Sequence, residues 1–376
     1  MKRILAASLV ASLSFATLLP AVPSYADATR DRQWFATALR FAEVHQITQG
    51  NGVIVAVIDS GVEQDHPDLI GNVLPGTDIV AGGAGNGWGD KSGHGTGMAG
   101  LIAAHGHGSG GKDGALGVAP KARILPIRVF INDNEPIPGN FYAKAIDWAV
   151  AHGAKIISIS ANTAGGDFEA VKRAHAAGVI VVGSAGNAPD DSFVAAPASY
   201  DGFALAVGGT DRNGNHWTKS VTGKALDIAA PAVDITSTSS SNSYRTGTGT
   251  SDSAAIIAGA LALIWSRYPT LSRDEVIYRL LATAVDKGTR GKDEQTGNGL
   301  VDIVAALTAD AVLPSPSITS RETGSLSVTA PTSTAEAPTQ PDGVGASIIL
   351  MAIACLLVIA VMAIVAVARR RRNRKS

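Results

Sequence analysis

The sequence predicts an α/β domain, a parallel sheet with helices on both faces. Two observations carry this. Five apolar runs end in turns, as strands buried on both faces do. Helical stretches lie between them, so successive strands need crossover connections and run parallel. In such sheets active residues collect at the carboxyl ends of the strands.

The strand runs are GVIVAVIDSG (52–61), ARILPIRVF (122–130), AKIISISA (154–161), GVIVVGSAG (178–186) and FALAVGG (203–209). The helical stretches are GTGMAGLIAAHG (95–106), FYAKAIDWAVAHG (141–153) and FEAVKRAHAAG (168–178). The last two close on Gly, as a helix C-terminus should. SAAIIAGALALIW (253–265) is uncharged and apolar all round, which marks a core helix. No internal repeat of 20–50 residues interrupts this order.

The two ends read as addresses. Residues 1–26 have the form of a signal peptide. Lys2 and Arg3 precede an apolar stretch from Ile4 to Leu19, and Ser24-Tyr25-Ala26 fits cleavage before Asp27. Residues 344–368 carry no charge over 25 positions. As a helix they span roughly 37 Å, enough for about 30 Å of hydrocarbon, so a transmembrane helix is expected. The basic tail at 369–376 places the C-terminus in the cytoplasm and the body outside the cell membrane. Cys355, the sole cysteine, falls mid-helix as an apolar filler. Residues 313–343 hold five prolines among many Ser and Thr and read as an extended tether. That leaves 27–312 as one globular domain. Its first part, 27–49, is rich in apolar residues (Trp34, Phe35, Leu39, Phe41) and is expected to pack on the rest as an N-terminal extension.

Charge and cysteine content exclude several classes. Eight of the 31 Lys and Arg residues sit in the two ends, leaving 23 bases against 32 acids in 27–343. That balance argues against nucleic-acid binding. One cysteine rules out an intrachain disulfide framework and a Cys-rich zinc site.

Three residues in order suggest chemistry. Asp59 ends the first strand run, a place where an Asp alone often caps a turn. His94 lies in the Gly-rich SGHGTG at 92–97, where a lone His is commonly a surface residue. Ser251 lies in TGTGTS at 246–251, just before the core helix, where it also fits a plain N-cap. Together they are worth more than their parts. A hydroxyl becomes nucleophilic when an imidazole takes its proton, and a carboxylate holds that imidazole in the useful tautomer. The order Asp…His…Ser is that of the subtilisin triad.

VIVAVIDSGVEQDHPDL (53–69), SGHGTGMAGLIAA (92–104), VIVVGSAGN (179–187) and GTSDSAAIIAG (249–259) resemble the four signature blocks of subtilisin-like serine proteases. The resemblance covers roughly 50–305 and implies a subtilisin-like sheet. It makes Asp59, His94 and Ser251 the triad. It also makes the Asn187 carboxamide and the Ser251 N–H the oxyanion hole. Ser160-Ala161-Asn162 would line the primary specificity pocket. Peptidase chemistry of this kind calls for no cofactor; structural calcium is left open. The overall architecture resembles the mycosins, membrane-anchored subtilases of type VII secretion in actinobacteria. That likeness implies protein substrates, exported ones among them, and membrane proteins of a secretion complex as partners. Two functions follow from it: an endopeptidase at the outer membrane face, or a mainly structural component of the complex.

Three positions depart from the family pattern. Gly97 replaces the second His of HGTH, Asp252 follows the nucleophile in place of an apolar residue, and Ala255 stands for Pro. Asp252 is expected either to raise the pKa of His94, to favour basic substrates, or only to suit the helix dipole. Elsewhere, the Gly-rich 82–89 lacks a phosphate-loop pattern and reads as a flexible loop at the active-site rim. His105 and His107 read as a solvated loop without a third metal ligand. Asp65-His66-Pro67-Asp68 reads as a turn and helix cap, with His66 outside the chemistry.

Overall fold

The computed structural model describes residues 25–310, apart from 133–136, 139 and 164. The signal segment, tether, membrane helix and tail expected above lie outside the described residues, save for the last two positions of the signal segment.

Seven parallel strands form the sheet: β1 (Ile54–Asp59), β2 (Thr77–Asp78), β5 (Arg123–Arg128), β6 (Ile156–Ile159), β7 (Ile180–Ser184), β8 (Ala204–Thr210) and β9 (Ile228–Pro231). Their spatial order is β2-β5-β1-β6-β7-β8-β9. The order reverses beside β1, the first strand of the long crossovers. That is where a cleft opens at the carboxyl edge of such sheets.

Alternation along each strand feeds two cores. Val55 and Val57 of β1, Ile180 and Val182 of β7, and Leu205 and Val207 of β8 face one layer. Ala56, Ile58 and Val181 face the other. The first layer holds α4 (His94–Ala103), α7 (Thr250–Arg267), α8 (Arg273–Ala282) and α9 (Ile303–Thr308). The second holds α5 (Asn140–Ala151) and α6 (Phe168–Ala176). Every residue of α7 from Ser253 to Trp265 is buried, so the all-apolar stretch is a core helix. Burial of each of its Ile and Leu side chains stabilises by about 1.5–3 kcal/mol.

Three short helices open the described chain: α1 (Tyr25–Arg32), α2 (Trp34–Ala38) and α3 (Phe41–Ile47). Phe35, Phe41 and Val44 enter the first core. Buried Gln33 completes the backbone of two strands, accepting from Leu116 N–H and donating to the carbonyls of Leu116 and Thr236.

Four local expectations need correction. The helix expected at 95–106 begins at His94 and stops at Ala103. Asp68 O captures the His105 N–H at 2.9 Å, and positive φ at Gly106 turns the chain. His105–His107 then form β3, antiparallel to β4 (Asp113–Leu116), not a solvated loop. Asp68 caps no helix: its buried carboxylate accepts from Ala115 N–H and His107. The Gly82–Gly89 loop is tied down, since Asn86 and Gly87 carbonyls accept from Gly76 and Val62. A polar hairpin, β10 (Ile235–Ser239) with β11 (Ser243–Gly247), went unforeseen.

Candidate active site

Asp59 is the last residue of β1, and its side chain is 1% exposed. Its Oδ1 accepts from the Ser60 N–H at 2.8 Å, which fixes the carboxylate plane. His94 opens α4, and its Nδ1 lies 2.9 Å from Asp59 Oδ1 and 3.0 Å from Oδ2. The glycine after it is needed for this approach. A Cβ on Gly95 would collide with the Gly61 carbonyl and stand 3.1 Å from Asp59. The start of α4 is held by Asp90, whose carboxylate accepts from Gly93 N–H and Thr96 N–H and from the hydroxyls of Ser60 and Thr96.

Nδ1 carries the proton that bonds Asp59, so Nε2 is free to act as base. Burial opposes the imidazolium, but the Asp59 carboxylate outweighs it and holds His94 above the ordinary histidine value.

Ser251 sits in the first turn of α7. The N-cap is Gly249, so Ser251 is not the cap residue. Its Oγ donates to Ser160 O at 2.8 Å, and Ser160 Oγ donates back to Ser251 O at 3.3 Å. Asn187 follows β7. Its Oδ1 accepts from Thr250 N–H at 2.9 Å and from Thr250 Oγ1 at 3.2 Å. A backbone N–H can only donate, so the amide orientation is fixed and Nδ2 is left as a donor. A carbon built on Gly249 would lie 3.7 Å from Asn187 Nδ2 and 3.8 Å from Ser251 N. Two potential donors thus lie near one point beside Ser251, at the positive end of a long helix.

A cavity of about 710 Å³ adjoins these groups, lined by His94, Ser160, Ala161, Asn162 and Asn187. Phe130, Asn132, Ile137, Tyr142 and Asp190 complete its wall, and the sequence reading missed them. Phe130 had a signal, since it ends the apolar run 122–130 just past a strand. Asn162 is bonded to Asp191, which also accepts the Asn187 N–H at 2.7 Å.

Asp252 is buried next to Ser251 and pairs with Arg245 of β11 at 3.0 Å. It makes no capping bond with α7. Sequence reasoning singled out Asp252 and missed Arg245. Outside the cleft, His66 Nε2 bonds the Ser243 carbonyl, and burial lowers its pKa. His105 Nε2 bonds Ile70 O, and His107 bonds Asp68. Among the described residues no group of three His, Cys, Asp or Glu is placed to hold a metal.

Residues 50–299 match the subtilase family (peptidase S8). The chain belongs to that family. Subtilisin DY of Bacillus licheniformis is 37% identical over 266 residues, covering 69% of this chain and 92% of that protein. Subtilisin BL of Lederbergia lenta is 35% identical, covering 68% and 91%. Among solved structures, MycP1 from Mycobacterium smegmatis superposes with a TM-score of 0.63 at 29% identity, covering 78% of this subtilase and 87% of that chain. The MycP3 protease from the type VII (ESX-3) secretion system gives 0.64 at 29%, covering 78% and 91%. Membership makes the chain a serine endopeptidase, with mycosins among its structural neighbours.

Proposed function

We propose that this subtilase is a membrane-anchored peptidase whose domain lies outside the cell membrane. There it cuts exported proteins as part of type VII secretion. The observation that carries the chemistry is the Asp59–His94 pair at 2.9 Å, with the Asn187 amide and the Ser251 N–H both near one point beside Gly249. In acylation Ser251 Oγ turns from Ser160 O to His94 Nε2 and gives up its proton there. Oγ attacks the scissile carbonyl, and Asn187 Nδ2 and Ser251 N–H hold the oxyanion. His94 then protonates the leaving amine. Water repeats the cycle on the acyl-enzyme. Nucleophile, base and donors all come from the chain, so the reaction needs no cofactor.

Three features support the placement: the export signal at 1–26, the uncharged 344–368 and the basic tail. The likeness to MycP1 and MycP3 supports the secretion role and membrane proteins of a secretion complex as partners. Residues 27–49 stay with the mature enzyme, because Phe35 and Phe41 complete its core.

The test is complementation of a deletion strain with wild type or Ser251→Ala, scoring secretion and substrate cleavage separately. Loss of cleavage with Ser251→Ala supports the peptidase role. Full secretion and full cleavage with Ser251→Ala would overturn it. External protease on protoplasts should release the domain and spare a small stub; complete protection would reverse the topology.

A further inference from the structure

Two departures from the family pattern meet in space. Gly97 lies one turn into α4, and the next side chain over it is Arg245 of β11. A Cβ on Gly97 would stand 2.8 Å from Arg245 Nη1 and 3.0 Å from its Cδ. A Cβ on Gly247 would overlap the same guanidinium. Arg245 therefore runs through a slot that exists because both positions lack side chains. At its end it donates from Nη1 to Asp252 Oδ1 at 3.0 Å. Asp252 is 1% exposed, and its Oδ2 has no hydrogen-bond partner among the described residues.

A half-satisfied carboxylate in the core is costly. Its stabilising effect on the fold is therefore a poor reason for its presence. Its neighbour supplies a better one. His94 faces charged groups from three elements packed against it: Asp59 on β1, Asp252 on α7 and Arg245 on β11. Asp90, in the loop before it, is occupied by Ser60, Gly93 and Thr96. Asp59 and Asp252 favour the imidazolium, and Arg245 opposes it. Burial holds the Asp252 carboxyl above the ordinary carboxylate value, and Arg245 and His94 pull against it.

We propose that Arg245 and Asp252 form a built-in charge pair behind the catalytic histidine, in which each partner cancels the other's effect on the base. Arg245 is a positioning residue that acts through Asp252 and His94 and touches no reacting atom. The pair leaves the charge state of His94 to Asp59, and it makes either partner alone a strong perturbation.

This inference rests on the peptidase reading, and the experiment separates the two. The acid limb of kcat/KM against pH is measured for wild type, Asp252→Asn and Asp252→Asn with Arg245→Met. Asp252→Asn leaves an arginine that cannot lose its charge, so the limb should move down by about one pH unit. The double variant removes both influences and should return to within about 0.3 of wild type. Asp252→Ala, alone and with Arg245→Met, replaces the Asn variants where these do not fold. A limb that stays at the wild-type pH in the single variant would overturn the proposal. So would a double variant that keeps the full shift. Fluorophosphonate titration at the pH plateau counts active sites in each protein. No labelling of wild type would sink the peptidase reading instead.

Discussion

Among the described residues, two aspartate–histidine pairs invite comparison. Asp59 and His94 meet at 2.9 Å, and Asp68 and His107 at 2.6 Å. In both the carboxylate is buried and the ring is partly exposed. By distance and burial alone they are equivalent. Their surroundings differ. Around the first stand Ser251, the Asn187 amide and a large cavity. Around the second, the Asp68 carboxylate accepts from Ala115 N–H, and Arg30 and Tyr244 lie nearby. Each pair orients an imidazole; what sets the first apart is Ser251 and the Asn187 amide at the start of α7. At the second site the same pair fastens the β3–β4 hairpin to the turn that carries Asp68.

Variants can break or sharpen this contrast. The largest effect is expected from Ser251→Ala. It should lower kcat by about 10⁶, the size measured for the same loss in subtilisin, a relative of this chain. Asn187→Ala should lower kcat by about 10²–10³ with little change in KM, again by analogy with subtilisin. Steady-state kinetics on a peptide substrate checks both. Asp68→Ala belongs to the other pair. It should destabilise the fold by about 3 kcal/mol in urea, because it strips a buried acceptor from Ala115 N–H and His107. The protein that remains folded should keep its kcat. His107→Gln should be smallest, under about 1 kcal/mol, since the ring is partly solvated. Its kcat/KM and pH profile should match wild type. Any large kinetic effect at Asp68 or His107 would erase the distinction.

Much of the first pair was legible in the sequence. β1, β5, β6, β7 and β8 are apolar runs because both of their faces are covered, so each strand announced itself. Asp59, His94, Asn187 and Ser251 follow such runs or open helices, where a carboxyl-edge site must lie. The second pair was misread. His107 acquires its partner by a turn at Gly106 and a short, irregular two-strand ladder. Neither carries a hydrophobic period. The β10–β11 hairpin was hidden for the same reason, since ITSTS and SYRTG lack an apolar alternation. Arg245 was invisible because its meaning comes from three separate segments, which supply Gly97, Gly247 and Asp252. α8 had a readable start at Ser272 and Glu275, a capping box that went unused.

The central claim is that Ser251 is the nucleophile and that His94, held by Asp59, activates it. The most direct measurement is the pH dependence of fluorophosphonate labelling, with the modified residue located by peptide mass. The base must be neutral to take the proton, and Asp59 raises its pKa. Labelling should therefore fall on acidification with a midpoint above about 6.5. The adduct should sit on Ser251 and vanish in Ser251→Ala. Equal labelling of Ser251→Ala, or an adduct on another residue, would contradict the account.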